Sequence, residues 1–297
     1  MMLTTTYIQQ FENEGYLLLE DALTLGDLAS VIEEYSAYID RRAHELLVEG
    51  RISELYADES FERRLACICR EDPELYRELD IMHLRGRASF EFLRNPTLLD
   101  IVESLVGPEI LCSPIQHIRP KLPNGLAPRG SDPHVVPWHQ DAGVAWEEAD
   151  PYFVLTVWLP FTEVNEENGC LRILPGGHRN GLLAHHNKRG SGTKIKGALL
   201  PHLPERSLPM SPGSILLMHN HLPHRSTRNL TDGVRWSADL RYQKIGTPTG
   251  RPFHPSFVAR SRSNPSTALT DHAEWSRLWR VALEESAGVR SHRWEQV

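Results

Sequence analysis

The sequence predicts a mainly β protein with flanking α-helices and a sandwich or barrel at its centre. Three observations carry that expectation. Apolar residues recur at helical spacing through most of the first hundred positions. From Glu109 to Gln243, short β-type runs alternate with Gly, Pro, Asn and Asp. A helical pattern then returns only near the end of the chain.

Thr4 to Glu14 reads as a short helix closed by Gly15, and Tyr16-Leu-Leu-Leu19 as a short strand. Thr24 opens a longer pattern through Leu28, Val31, Ile32, Tyr35, Ile39, Ala43, Leu46 and Leu47, which Gly50 ends. Further helices are expected over Ser60–Cys69, Pro73–Leu79 and Pro96–Val106, the last stopped by Gly107-Pro108. Strands are expected over Ile110–Lys121, Tyr152–Leu159, Leu171–Leu174, Ser214–His219 and Val234–Gln243. Both faces of the Tyr152–Leu159 run are largely apolar, which predicts burial on both sides. In the last strand Arg235, Ser237, Asp239 and Arg241 share one face, so that face meets either solvent or a polar cavity. His185 to Lys196 reads as a basic, Gly-containing loop, on the surface or closing over an anionic substrate. After Gly246 the chain is rich in Pro, Ser and Arg and is expected to wrap the surface before a terminal helix over Asp271–Ser286. Residues 1–108, 109–245 and 246–297 are thus a helical part, a β core and a C-terminal wrap of one domain.

Composition narrows the function. The chain has 297 residues, 40% hydrophobic and 24% charged, an ordinary globular balance. The longest largely apolar run, Phe153–Leu159, has strand length, far short of the ~18 residues of a membrane helix. The N-terminus lacks a secretory pattern. A net charge of −7 does not suit a nucleic-acid binder. Cys67, Cys69, Cys112 and Cys170 are too scattered for a disulfide framework or a zinc site, so reduced thiols in a cytoplasmic protein are expected. A small-molecule substrate remains, with either a monomer or a homodimer compatible with the sequence.

Fifteen histidines are many, and most lie between His117 and His224. In Trp138-His-Gln-Asp141 a histidine and a carboxylate stand two residues apart, so on extended backbone they point the same way and can grip one metal ion. The pattern is common by chance. His272-Ala-Glu274 is similar, yet it falls in the terminal helix and is set aside. A third ligand is available from His219, His221 or His224. Two histidines and one carboxylate on one face of an octahedral ion leave three open positions, the arrangement of non-haem Fe(II) oxygenases. A zinc hydrolase can use the same set.

A longer pattern runs through the same region, in order: Pro137-Trp-His-Gln-Asp141, Thr156-Val-Trp-Leu-Pro-Phe161, Glu167-Asn-Gly-Cys-Leu171, Leu174-Pro-Gly-Gly-His-Arg179, Pro212-Gly213, His224-Arg-Ser-Thr-Arg-Asn229, Arg235 and Arg241-Tyr242. Phe11-Glu-Asn-Glu-Gly-Tyr-Leu17 precedes it. Together these resemble the phytanoyl-CoA dioxygenase family of Fe(II)/2-oxoglutarate oxygenases. The resemblance departs from the family at Gly177, where Ser is usual.

The resemblance implies a double-stranded β-helix core, one oxygenase domain, and Fe(II), 2-oxoglutarate and O2 as cofactor and cosubstrates. It selects His139, Asp141 and His224 as metal ligands, because only His224 has Ser at +2, Asn at +5 and Arg at +11. It implies that Arg235 holds the far carboxylate of 2-oxoglutarate, a task suited to a permanently charged, bidentate guanidinium. Ser226 would add a hydroxyl contact, and Thr156, Trp158 and Lys121 are weaker candidates for the same pocket. Trp138, Trp146 and Tyr152 are candidates for an apolar substrate wall. Asp141 stands where related halogenases carry a small residue, which favours hydroxylation. The alternatives are a zinc-dependent hydrolase on a cupin-like barrel and a non-catalytic barrel.

Overall fold

The computed structural model of the chain describes residues 2–126, 135–188, 192–290 and 293. Helix α1 (Thr5–Glu14) is capped by the Thr4 hydroxyl, and Gly15 turns the chain at φ 75° into β1 (Tyr16–Leu19). Helix α2 (Leu25–Val48) begins at a capping box in which Thr24 and Asp27 satisfy each other's backbone N–H groups. It buries Leu28, Val31, Tyr35, Ile39, Ala43 and Leu46. Helix α3 (Phe61–Glu71), a 3-10 turn over Pro73–Glu78, two short helices α4 (Ile81–Leu84) and α5 (Arg87–Phe92), and α6 (Pro96–Val106) complete the helical part. The two short helices lay outside the sequence expectation, being too short to show a period.

The strands that follow are β2 (Glu109–Cys112), β3 (His117–Lys121), β4 (Val154–Pro160), β5 (Leu171–Ile173), β6 (His185–Lys188), β7 (Gly192–Ile195), β8 (Arg206–Leu208), β9 (Ile215–His219), β10 (His224–Ser226), β11 (Arg235–Lys244) and β12 (Phe257–Ser261). The terminal helix α7 covers His272–Glu285. One sheet runs β1-β9-β4-β11-β2-β12, with β3 also on β11, and a second runs β10-β5-β8. All their pairings are antiparallel. The sheets pack face to face: Tyr16, Trp158, Leu216 and Met218 of the larger meet Leu171, Ile173 and Leu208 of the smaller. This is the double-stranded β-helix. The other face of the larger sheet, including Leu17, Leu155, Val157, Leu217 and Trp236, is covered by the helices. No helix among the described residues is long and apolar enough to cross a membrane.

Three expectations need correction. The single strand over Ile110–Lys121 is interrupted: β2 and β3 both pair with β11, but Ser113–Gln116 leaves the ladder. There the Ser113 N–H donates to the Arg241 carbonyl, and the Ile115 carbonyl accepts from the Arg241 guanidinium at 2.9 Å. The expected basic loop is a hairpin of β6 and β7, with residues 189–191 outside the described set. The stretch after Gly246 does not only wrap the surface, because β12 adds an edge strand to β2 with a bulge between Val258 and Arg260.

Candidate metal centre and its cavity

His139 and His224 lie 85 residues apart, yet each backbone N–H donates to the other's carbonyl at 3.0 Å. This isolated antiparallel bridge brings the two rings to 4.1 Å between centroids. Between the first histidine and Asp141, Gln140 is pinned. Its side chain donates to the carbonyls of Gly181 and His221 and accepts from the Leu183 N–H, while its own N–H donates to His185 Nε2. Asp141 then opens a 3-10 turn through Val144.

The ligand atoms of His139, Asp141 and His224 all lie within 4.8 Å of one another, with Asp141 Oδ1 3.9 Å from each Nε2. Nδ1 of His139 faces the carbonyls of Pro137 and His224, and Nδ1 of His224 faces that of Leu222 at 3.0 Å. A carbonyl can only accept, so each Nδ1 carries the proton and each Nε2 presents a lone pair to the centre. Burial, with the neighbouring His224 second, pushes the His139 imidazole down to about 3, so it stays neutral. Burial alone would raise the Asp141 carboxyl. Arg241 above all, with the two imidazoles and the Thr156 hydroxyl, instead holds it well below the usual carboxylate range. Thr156 Oγ1 donates to Oδ2 and Arg241 Nη2 to Oδ1, both at 2.5 Å. Two imidazoles that turn Nε2 inward and an ionised carboxylate, converging on one point, form a donor set for a divalent ion.

The triad borders a cavity of about 700 Å³. On one side of it Arg235 is only 7% exposed, its Nε and Nη1 have no hydrogen-bond partner, and its guanidinium lies over the Trp158 ring at 5.2 Å. Burial lowers its pKa to about 10. Lys121 faces Arg235 across the β3–β11 ladder, is equally buried, and donates to Ser226 Oγ at 3.1 Å. Gly169, at φ 87°, makes room for this lysine: a Cβ there would stand 2.7 Å from Lys121 Cε and 2.6 Å from the Thr227 carbonyl oxygen. The Asn168-Gly169 turn therefore serves the pocket as well as the chain reversal. The buried guanidinium lacks an anion, and a carboxylate-bearing cosubstrate fits that deficit.

The polar face expected on β11 points into the cavity, with Arg235, Ser237, Asp239 and Arg241 all lining it. Thr156 spends its hydroxyl on Asp141 rather than on the cavity. Trp138, Trp146 and Tyr152 are not among the lining residues. Trp138 packs under the Arg225 guanidinium, Trp146 against Phe253, and Tyr152 is 40% exposed. The apolar wall comes instead from Ile115, Val135, Val136, Pro137 and Val144. His219 and His221 pack with each other, and His219 also with His178, away from the ligand cluster; His272 Nε2 meets the Arg85 carbonyl. Two arginines had no role assigned from the sequence. Arg241 stood in the longer pattern and on the polar face of β11. Arg251 had no such signal, since it lies in an irregular segment beyond the recognisable motifs.

Comparison with known proteins agrees with this geometry. The family model for phytanoyl-CoA dioxygenase (PhyH) matches residues 11–237. A probable phytanoyl-CoA dioxygenase of Caenorhabditis elegans is 27% identical over 228 residues, 68% of this chain and 70% of that one. Among solved structures, the apo non-heme monooxygenase ThoJ matches with TM-score 0.63 and 19% identity over 95% of this chain and 99% of its own. The epimerase SnoN, solved with Fe3+, alpha ketoglutarate and nogalamycin RO, matches with TM-score 0.56 and 19% identity over 84% and 87%. At such identity the structural likeness speaks for the shared fold alone. With the family model spanning most of its length and the His-Asp-His cluster in place, this chain belongs to the phytanoyl-CoA dioxygenase family of non-haem iron, 2-oxoglutarate-dependent oxygenases.

Proposed function

We propose that the protein hydroxylates an unactivated carbon of a small organic substrate, converting 2-oxoglutarate to succinate and CO2. The observation that carries this reading is the pairing, in one cavity, of a three-ligand metal cluster with a buried guanidinium that has no anion. His139, Asp141 and His224 would hold Fe(II), each histidine through Nε2. Bound iron with 2-oxoglutarate and O2 supplies the oxidising power that inserts oxygen into a C–H bond. Arg235 would take the far carboxylate of 2-oxoglutarate, with Lys121 and Ser226 beside it and the Trp158 ring excluding water from the guanidinium face. Thr156 and Arg241 fix the Asp141 carboxylate so that it meets the ion in one orientation. No protein general base is assigned, because cleavage of a C–H bond by hydrogen abstraction needs none.

The zinc-hydrolase and non-catalytic alternatives account for the triad or for the barrel. Neither gives Arg235 an anion, and an unpaired buried charge has a cost that selection would have no reason to keep. All four cysteines are buried and unpaired, which supports a reducing cytoplasmic setting. The test is anaerobic titration of the Fe(II)-loaded protein with 2-oxoglutarate, followed by visible absorption. A weak charge-transfer band is expected in the wild type and absent in His224→Ala. No band in correctly iron-loaded wild type would remove the oxygenase reading.

A further inference from the structure

Two arginines, Arg235 and Arg251, are buried in the same cavity without an ion-pair partner among the described residues, and 2-oxoglutarate has one distal carboxylate to offer. Resting on the oxygenase reading, we propose that the substrate is a small organic anion whose carboxylate or phosphate group is held by Arg251.

Arg251 is 9% exposed. Its Nε is buried without a hydrogen-bond partner, and among the described residues its side chain makes only a long 3.5 Å approach of Nη2 to the Val144 carbonyl. The two carboxylates that line the cavity besides Asp141 are engaged elsewhere. Asp239 accepts from Arg241 at 3.2 Å, and Asp80 accepts from His117 at 2.7 Å and from Arg119 at 3.4 Å. Burial, then Arg241 and Arg119, lower the pKa of Arg251 to about 10, as expected of a cation that lacks a counter-charge.

The backbone holds this arginine in place. Gly250, at φ 66°, comes so close to the turn after Asp141 that a Cβ would stand 2.6 Å from Ala145 Cβ, and its carbonyl accepts the Trp146 N–H at 3.0 Å. Trp146 in turn packs on Phe253. Arg251 is therefore anchored to the segment that carries a metal ligand. The charges it feels are those of Arg241 and Arg119, whereas Arg235 stands six residues, or roughly 20 Å, along β11 from Arg241. The guanidiniums of Arg251 and Arg235 thus serve different ligands across the metal centre.

The charge of the cavity agrees. Seven arginine and lysine side chains line it against three aspartates, in a chain whose net charge is −7. A divalent ion and a dianionic cosubstrate cancel each other, and although Arg77 pairs with Glu74 and Arg225 with Glu205 outside the lining, the cavity keeps an excess of positive charge. Such local concentration against the global sign is a means of attracting an anion. Ile115 and Val144 on the same wall suit an apolar body behind the acidic group.

The probes are phenylacetate, phenyl phosphate and the neutral phenylacetamide. Each is titrated calorimetrically into anaerobic Fe(II)-loaded protein saturated with 2-oxoglutarate. At least one acid should bind about tenfold or more tighter than the amide, and the stronger of the two identifies the acidic group. Arg251→Gln should abolish that preference and Arg251→Lys should keep part of it, while the charge-transfer band of the chelated 2-oxoglutarate persists in both and reports an intact fold. Equal binding of acid and amide, no binding of either acid up to about 10 mM, or an acid preference that survives Arg251→Gln overturns the proposal. Absence of the band in wild type would instead overturn the oxygenase reading beneath it.

Discussion

The two faces of β11 differ in every respect except the backbone they share. Outward, Trp236, Ala238, Leu240 and Tyr242 are buried in the large core under the helices. Trp236 meets Tyr35 edge-on at 5.4 Å and stacks on Phe61 at 4.8 Å, and the Tyr242 hydroxyl donates to the Leu93 carbonyl at 3.0 Å. Inward, Arg235, Ser237, Asp239 and Arg241 line the cavity, and three of these four are nearly as buried as their apolar neighbours. Burial therefore has opposite consequences on the two sides. The outer face stabilises the fold by removing apolar surface from water, whereas the inner face holds charges out of water, Arg241 with Asp141 as its partner and Arg235 with none among the described residues. The Arg235 charge, buried without a partner among the described residues, is held at some cost to stability.

Breaking the outer face should have the largest effect on stability. Trp236→Ala removes the ring that joins β11 to α2 and α3, and should cost about 3–5 kcal/mol in urea unfolding. A loss below about 1 kcal/mol would show that the helical cover does not depend on this contact.

On the inner face, Arg241→Met leaves Asp141 buried without its guanidinium. The metal-free protein should lose about 3 kcal/mol or more. Adding Fe(II) or a non-redox substitute such as Zn(II) should restore much of it, because the ion supplies the missing positive charge. Equal destabilisation with and without metal would mean that Arg241 acts only by packing.

Arg235→Met sharpens the contrast, since it removes a charge that has no partner. Metal-free stability should stay the same or rise, while 2-oxoglutarate binding weakens by about 100-fold, equivalent to about 3 kcal/mol for two charged hydrogen bonds. A variant that unfolds more easily and binds 2-oxoglutarate normally would reverse the assignment of this side chain.

The smallest effect is in pH. The His139 pKa lies near 3 in the fold against about 6.5 unfolded, so between those values the unfolded chain takes up the proton and stability falls as pH falls. From pH 7 to 5 this one residue should cost the metal-free protein about 2 kcal/mol. His185 and His219, both pushed down to about 4 by burial first, act in the same direction. His139→Gln should therefore show a shallower loss over that interval than wild type, measured by urea melts. Identical slopes would place the proton uptake at the other histidines.

Much of this arrangement is written in local signals. Thr24 with Asp27, Gly15 after Glu14, and the apolar period of α2 each act within a turn or two of helix, so the chain shows them without folding. The alternation along β11 likewise separates four polar from four apolar side chains before any partner is known. The pair His139 and Asp141 is legible because two residues of extended chain turn both side chains one way. His224 could be singled out from His219 and His221 only by a motif shared with a family, since nothing in its own neighbourhood distinguishes it as a ligand.

What the sequence by itself determined was the class of fold, the order of most elements and the set of side chains able to hold iron. The tertiary structure alone decided which side of β11 faces the cavity, that the run beside it breaks at Ser113–Gln116 to offer a carbonyl to Arg241, and that the Thr156 hydroxyl donates to Asp141. It also took Trp138, Trp146 and Tyr152 out of the cavity wall and put Arg251 into it. The physical reason is range. Periodicity and capping are properties of neighbouring residues, but a lone pair, a guanidinium or a ring acquires its partner only when segments 100 residues apart or more, such as those of Asp141 and Arg241, are packed against each other.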